Sequence, residues 1–305
     1  MVRRGPQHGR VLSGRFHSEA LGVEKSYWVW LPAGYDDGGE RFPVVYLLHG
    51  LGGDETDWLQ SGHADAAAER VGLRAIVVMP DGDASFWADA VDAKGGFEAC
   101  LASSAVRRYG RAEDFCVRRA RYETYVVADL LPHIDSTFRT IPTATARGIG
   151  GLSMGGFGAL MLAMRHHDLF GAAASHSGVD SLLYEAPHPF VAHQARLVAD
   201  VRDWGGNTFI GALVRGVFGP DRARWEAHDP ATLAQRPDFV PPAIYLDCGD
   251  DDRYRLDDSL RHLDEILTAA RVPHEAVIVP GRHDFALWER RIDHSLRFFQ
   301  KALRP

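Results

Sequence analysis

Residues 151–155 read Gly-Leu-Ser-Met-Gly, the pattern G-x-S-x-G, between a short strand-like run at 147–150 and an apolar helix-like run at 156–164. Between a strand and a helix, this pattern places its serine on a tight, strained turn above the edge of the sheet. Glycines two positions before and after the serine let the strand and the helix approach without side-chain clashes. We therefore interpret Ser153 as the nucleophile of a serine hydrolase or acyl transferase. The structural alternative is a helix start with Ser153 as its N-cap.

Apolar runs and amphipathic helical patterns alternate along the rest of the chain. Continuous apolar runs at 44–48 and 75–79 are typical of strands buried in a parallel sheet, and residues 125–134 and 256–271 have the spacing of amphipathic helices. The alternation predicts an α/β fold, with a mostly parallel, doubly wound sheet, helices on both faces and antiparallel strands at its start. Further strands are predicted at 21–32, 147–150, 171–175, 243–246 and 276–279, and a closing helix at 288–303.

Two long stretches, at about 89–122 and 179–242, interrupt this alternation. Insertions of this length usually cover a site or are mobile, so we expect one α/β domain over residues 1–305 with both insertions near the active site. Trp204 and Phe218 in the second insertion are candidates for a lid, with core packing as the equal alternative.

Composition excludes several classes of protein. The 305 residues are 46% hydrophobic and 25% charged, as in ordinary globular proteins. A net charge of −7 argues against a nucleic-acid partner, and no apolar stretch has the length of a membrane span. No apolar segment follows the basic N-terminus, so we expect a cytoplasmic protein. The three cysteines, Cys100, Cys116 and Cys248, fit a reducing compartment as free thiols, and a Cys100–Cys116 disulfide is the alternative left open.

A serine nucleophile needs a base and an acid, and both are expected after later strands. His283 directly follows the last predicted strand, which places it at the carboxyl edge of the sheet. His166 and His167, beyond the nucleophile helix, are predicted to face solvent. The acid should follow the preceding strand, where residues 250–252 are all aspartate, and spacing does not choose among them. A calcium loop is the alternative for these carboxylates, but they lack alternating ligand spacing, so no metal is predicted.

The oxyanion hole needs two backbone N–H groups. The first is expected from Met154, the residue after the nucleophile, and the second from the loop at 49–53, which reads His-Gly-Leu-Gly-Gly. Four aromatic residues near strand ends or near the base are candidates for substrate-pocket walls, with core packing as the equal alternative: Trp58, Phe86, Trp87 and Trp288.

Taken together, these motifs resemble the esterase D or Putative esterase family of α/β-hydrolases, which includes tributyrin-type carboxylesterases, S-formylglutathione hydrolases, feruloyl esterases and antigen 85-like acyltransferases. The resemblance runs from about residue 21 to the C-terminus and rests on residues 47–58, 79–82, 122–125, 151–156, 248–252 and 281–288.

The resemblance implies the α/β-hydrolase fold and a role for each matching residue. Ser153 is then the nucleophile and His283 the base, and Asp252, at the last position of a Cys-Gly-x-x-Asp pattern, is the acid. Leu51, after the His-Gly pair, and Met154 then provide the two amides of the oxyanion hole. The stretch at 89–122 departs from the compact members of the family and holds six arginines, so substrate specificity does not transfer. Contact of this Arg-rich run with an anionic substrate is one hypothesis, and a solvated surface is the alternative.

The sequence thus predicts a serine carboxylic ester hydrolase that forms an acyl-enzyme on Ser153 and acts on a small-molecule ester without a cofactor. The alternatives are an acyltransferase with the same triad, a hydrolase or cyclase that tailors a natural product, and a catalytically silent binding domain. The intact triad argues against the last of these. The natural ester and the oligomeric state stay open, with a homo-oligomer as one alternative.

Overall fold

The computed structural model describes residues 3–4, 9–91 and 121–304. Cys100, Cys116 and most of the first predicted insertion, with all its arginines except Arg121, lie outside the described residues.

The strands of the described chain form one large sheet and one small ribbon. The large sheet has the order β1-β2-β3-β5-β4-β6-β7-β10-β11, and β8 and β9 form the ribbon. Pairing is antiparallel from β1 to β5 and parallel from β5 to β11. The bounds are β1 Arg3–Arg4, β2 Arg10–Ser18, β3 Val23–Leu31, β4 Val44–Leu48, β5 Ile76–Pro80, β6 Arg147–Leu152, β7 Ala172–His176, β8 Tyr184–Ala186, β9 Arg196–Leu197, β10 Ala243–Asp251 and β11 His274–Arg282.

Helices connect the strands and cover both faces of the large sheet. Their bounds are α1 Asp57–Gln60, α2 Ala64–Val71, α3 residues 122–137, α4 Met154–Arg165, α5 Phe209–Phe218, α6 Arg222–Glu226, α7 Pro230–Leu233, α8 Leu256–Ala269 and α9 Phe285–Ala302. The central turns of α3, Tyr125–Leu130, are a π-helix. This architecture confirms the predicted α/β-hydrolase fold with a mostly parallel sheet.

Successive side chains of the central strands point to opposite faces of the sheet, and each face carries a hydrophobic core. In β4 all five residues are buried; Tyr46 and Leu48 face the core covered by α3, α4 and α8, whereas Val45 and Leu47 face the core covered by α2 and α9. Burying one such side chain contributes about 1.5–3 kcal/mol relative to leaving it exposed. A strand buried on both faces needs an unbroken apolar sequence, which explains why β4 was predictable with its observed bounds.

The strand order reverses at β4. The chain passes from β4 to β5 on one side, and then continues with β6 on the other side of β4. In open α/β sheets, ligands bind beyond the carboxyl ends of the strands at such a switch point. The loops that follow β4 and β6 meet there, and these loops carry two of the predicted motifs.

Candidate active site

Ser153 occupies a sharp turn between β6 and α4. Its backbone has φ 53° and ψ −118°, a conformation that non-glycine residues adopt at a cost of about 1–3 kcal/mol. The Ser153 N–H donates to the carbonyl of His176 on β7 at 2.9 Å, which ties the turn to the sheet. A Cβ on Gly155 would lie 2.3 Å from the Leu48 carbonyl oxygen, and one on Gly151 would lie 2.4 Å from the backbone of Gly155. Both glycines of the motif are therefore required by close backbone packing.

The structure brings the predicted nucleophile, base and acid into one hydrogen-bonded line. His283 Nε2 lies 3.0 Å from Ser153 Oγ, and His283 Nδ1 lies 2.7 Å from Asp252 Oδ2. The side chains of His283 and Asp252 are 5% and 0% exposed, so the hydrogen bond between them is shielded from water. Tyr254 N–H donates to Asp252 Oδ1 at 2.8 Å, which fixes the carboxylate.

The neighbouring aspartates point to other partners. Asp250 accepts a hydrogen bond from Gly281 N–H at 3.1 Å, and Asp251 pairs with Arg282 at 2.9 Å. Spacing in the sequence did not distinguish among the three aspartates at 250–252. In the structure, the Asp252 carboxylate is the one of the three that contacts His283.

Two aromatic rings hold the imidazole of His283. Tyr254 and Trp288 each meet it almost perpendicularly, at 87°, with ring centroids 4.9 Å and 5.0 Å away. Trp288 is itself anchored, because its Nε1–H donates to Ser177 Oγ at 3.2 Å. The base is thus oriented by packing as well as by its hydrogen bonds.

The loop after β4 passes directly over the nucleophile. A Cβ on Gly50 would lie 3.5 Å from Ser153 Cβ and 2.6 Å from the Leu152 side chain. His49 Nε2 accepts from Gly82 N–H at 2.8 Å, so the imidazole carries its proton on Nδ1, which donates to the Gly50 carbonyl at 2.8 Å. His49 therefore holds the loop rigidly, as an oxyanion hole needs. The roles of the Leu51 and Met154 amides stay predictions.

A buried polar network beneath the nucleophile was not foreseen from the sequence. His176 Nδ1 lies 2.9 Å from Asp247 Oδ1, and its Nε2 lies 2.9 Å from Ser295 Oγ. Burial acts to raise the pKa of Asp247, but His176, Tyr245 and Arg291 outweigh it and hold this pKa below its usual value. Because the His176 carbonyl receives the Ser153 N–H, this network fixes the strand against which the nucleophile turn is held.

The four aromatic pocket candidates are all buried. Trp58 is 1% exposed and donates to the Leu48 carbonyl at 3.0 Å, and Trp87 is fully buried. Phe86 packs edge-on against Phe157, and Trp288 is 5% exposed beside the base. A contact with substrate stays a prediction for each of the four. Phe218, one of the two predicted lid residues, is fully buried, whereas Trp204 is partly buried.

The motif at 122–125 lies away from the nucleophile, at the far end of α4. Glu123 accepts hydrogen bonds from Arg165 at 2.9 Å and from His166 at 2.8 Å, and His228 lies 3.6 Å away. The prediction that His166 and His167 face solvent is confirmed for His167, which is exposed, and only in part for His166, whose side chain is 26% exposed because its ring hydrogen-bonds Glu123. Burial acts to raise the pKa of Glu123, but these partners outweigh it and hold this pKa well below its usual value.

We expect Glu123→Gln to destabilise the protein by about 2 kcal/mol at pH 7, through weaker charge-assisted hydrogen bonds. A carboxylate whose pKa is lowered by folding stabilises the folded state above the unfolded pKa of about 4.5, and this contribution is lost as the pH falls towards the folded value. Urea unfolding at pH 7 and pH 4, with the exposed Glu185→Gln as control, should show a smaller difference at pH 4. An equal loss at both pH values would contradict the ionic explanation.

Other side-chain chemistry within the described residues is limited. Cys248 is buried, and burial raises the pKa of its thiol far above the usual value, which keeps it protonated and unreactive. No group of three or more His, Cys, Asp and Glu side chains in the described ranges has an arrangement suited to a metal ion. In the same ranges, every helix is too short or too polar to cross a membrane.

Comparison with known proteins places the chain in a family. The sequence matches the family described as Putative esterase over residues 18–299. Esterase Rv1288 of Mycobacterium tuberculosis (strain ATCC 25618 / H37Rv) is 32% identical over 295 residues, which cover 93% of this chain and 58% of that protein. S-formylglutathione hydrolase of Arabidopsis thaliana is 24% identical over 243 residues, which cover 80% of this chain and 75% of that protein. The chain thus spans less than two thirds of the length of the mycobacterial relative.

Solved structures resemble the chain over nearly its whole length. An S-formylglutathione hydrolase from Agrobacterium tumefaciens has a TM-score of 0.73 at 19% identity, covering 100% of this chain and 99% of that chain. A ferulic acid esterase has a TM-score of 0.66 at 25% identity, covering 97% of this chain and 99% of that chain. The first of these similarities, at its low identity, bears on the fold alone.

Proposed function

Since the chain belongs to the Putative esterase family of α/β-hydrolases, we propose that it hydrolyses carboxylic esters of small molecules through an acyl-enzyme on Ser153. The observation that carries the proposal is the line of two hydrogen bonds, at 3.0 Å and 2.7 Å, that joins Ser153, His283 and Asp252. A catalytically silent binding domain has no need to keep this line intact. The geometry of the site, and not the fold, thus argues for chemistry.

In the proposed acylation step, Ser153 Oγ attacks the ester carbonyl carbon while His283 Nε2 takes its proton. Asp252 accepts the Nδ1–H of His283, keeps the ring in the tautomer that can act as a base, and stabilises the imidazolium. The Leu51 and Met154 amides then bind the oxyanion, and the loss of one such donor typically costs about 3–4 kcal/mol. When the tetrahedral intermediate collapses, the C–O bond to the alcohol breaks and His283 returns the proton to the leaving oxygen.

The deacylation step repeats this chemistry with water. His283 takes a proton from a water molecule, and the water oxygen attacks the acyl carbon. The bond between the acyl carbon and Ser153 Oγ then breaks, and His283 passes the proton to Ser153 Oγ. The products are a carboxylic acid and the regenerated serine. An acceptor alcohol in place of water would give acyl transfer with the same residues.

A fluorophosphonate label combined with p-nitrophenyl acetate, butyrate and octanoate tests the proposal. We expect the label on the peptide that contains Ser153, and release of p-nitrophenol that falls with chain length if the acyl pocket is small. If Ser153 is labelled but no p-nitrophenol is released in the absence of an acceptor alcohol, hydrolysis of simple esters is contradicted. If release then appears only when an acceptor alcohol is added, the activity is acyl transfer. Neither labelling nor release would contradict the nucleophile assignment.

A further inference from the structure

Tyr254 combines solvent exposure with direct contact to the proposed base. Its exposed fraction is 45%, and it is the only exposed Phe, Trp or Tyr side chain in the described ranges. Its ring lies edge-on to His283, with centroids 4.9 Å apart. Trp288, on the same imidazole, is only 5% exposed. Of the two rings that hold the base, Tyr254 is therefore the one that solvent or a ligand can reach.

Three contacts keep Tyr254 in place. Its backbone N–H donates to Asp252 Oδ1 at 2.8 Å, the Arg253 guanidinium lies 4.7 Å from its ring centroid, and His283 packs perpendicular to it. An aromatic side chain that is already ordered loses little conformational entropy when a ligand packs on it. A large, ordered and exposed ring beside reacting atoms has the properties of a binding wall.

The position of Tyr254 beside His283 identifies the part of the substrate that it meets. During acylation His283 Nε2 must come within hydrogen-bond reach of the leaving oxygen, because it returns the proton there. An exposed ring beside His283 therefore borders the alcohol portion of the ester, whereas the oxyanion loop borders the carbonyl. We propose, on the basis of the function proposed above, that Tyr254 is the wall of a leaving-group subsite and that this subsite prefers alcohols with a flat aromatic ring.

Two acetate esters isolate this preference. Benzyl acetate and cyclohexylmethyl acetate share the acyl group and have alcohols of similar size and basicity, but only the first alcohol is aromatic. Aromatic pairing beyond simple burial predicts a kcat/KM ratio of about fivefold in favour of benzyl acetate in the wild-type enzyme, expressed mainly in KM. Tyr254→Leu should bring the ratio close to one, whereas Tyr254→Phe should keep it.

A ratio near one in the wild-type enzyme, or an unchanged ratio in Tyr254→Leu, would overturn the proposal. A second measurement is the rate at which the fluorophosphonate labels the wild-type enzyme in the presence of an alcohol. This measurement requires neither ester turnover nor a folded variant. Benzyl alcohol should slow labelling of the wild-type enzyme at lower concentration than cyclohexylmethanol does, and equal protection would also overturn the subsite. Hydrolysis of methyl acetate, whose alcohol is too small to reach a ring, reports separately on the ester hydrolase itself.

Discussion

Ser153→Ala is expected to lower kcat for p-nitrophenyl acetate by about a million-fold, because the variant lacks the oxygen that forms the acyl-enzyme. Stability should change little. Ser153 precedes α4, but its hydroxyl makes no capping hydrogen bond to that helix, so the helix loses nothing when the hydroxyl is removed. The measurement is an initial rate beside a thermal midpoint for each protein, which separates loss of chemistry from loss of fold.

Ser177→Ala is a matched control for this variant. Ser177 follows β7, the strand beside β6, and it also has a left-handed backbone, with φ 47°. Its hydroxyl accepts a hydrogen bond from Trp288 and lies outside the line from Ser153 to Asp252. We expect a loss of no more than about tenfold, the scale of one neutral hydrogen bond. Substantial turnover by a clean Ser153→Ala preparation would defeat the nucleophile assignment.

Sequence patterns predicted the centre of the sheet better than its edge. The apolar run at 44–48 has the same bounds as β4, and the G-x-S-x-G motif lies between β6 and α4 as expected. In contrast, β2 was not predicted, because its sequence, Arg-Val-Leu-Ser-Gly-Arg-Phe-His-Ser, mixes polar and apolar residues on a strand that is only partly buried. That segment becomes a strand through its pairing with β3, which is a tertiary effect.

The proposed site was predictable where position along the chain was sufficient. Ser153 and His283 each follow a strand at the carboxyl edge, and the fold brings such positions together. Residues 250–252 were not separable by spacing, because β10 continues to Asp251 and its register with β11 shifts between Gly249 and Asp251. The backbone conformation of residues 250–252 decides which carboxylate meets His283, and residue spacing in the sequence does not predict that conformation.

The network of His176 and Asp247 was missed for a related reason. The two residues lie directly opposite each other on β7 and β10, which are adjacent in the sheet although the second predicted insertion separates them in the chain. Only the strand order makes them neighbours. A search for buried histidine and aspartate at paired strand ends would find them once that order is known.

Asp252→Asn is expected to lower kcat by about ten thousand-fold with little change in fold, because the amide reverses one hydrogen bond. Asp252 Oδ2 accepts the Nδ1–H of His283 at 2.7 Å. An asparagine N–H directed at that nitrogen would favour the tautomer with the proton on Nε2. Because Nε2 faces Ser153 Oγ, the imidazole could then no longer take the serine proton.

Asp250→Asn and Asp251→Asn are the controls that make this result specific to one carboxylate. Asp250 accepts from Gly281 N–H, and Asp251 forms an exposed ion pair with Arg282, a contact of the kind worth about 0–1 kcal/mol. Each control should therefore retain kcat within about threefold, which leaves the large loss to Asp252 alone. Near-wild-type turnover by Asp252→Asn, or a larger loss in either control, would show that another carboxylate orients His283 in the working enzyme.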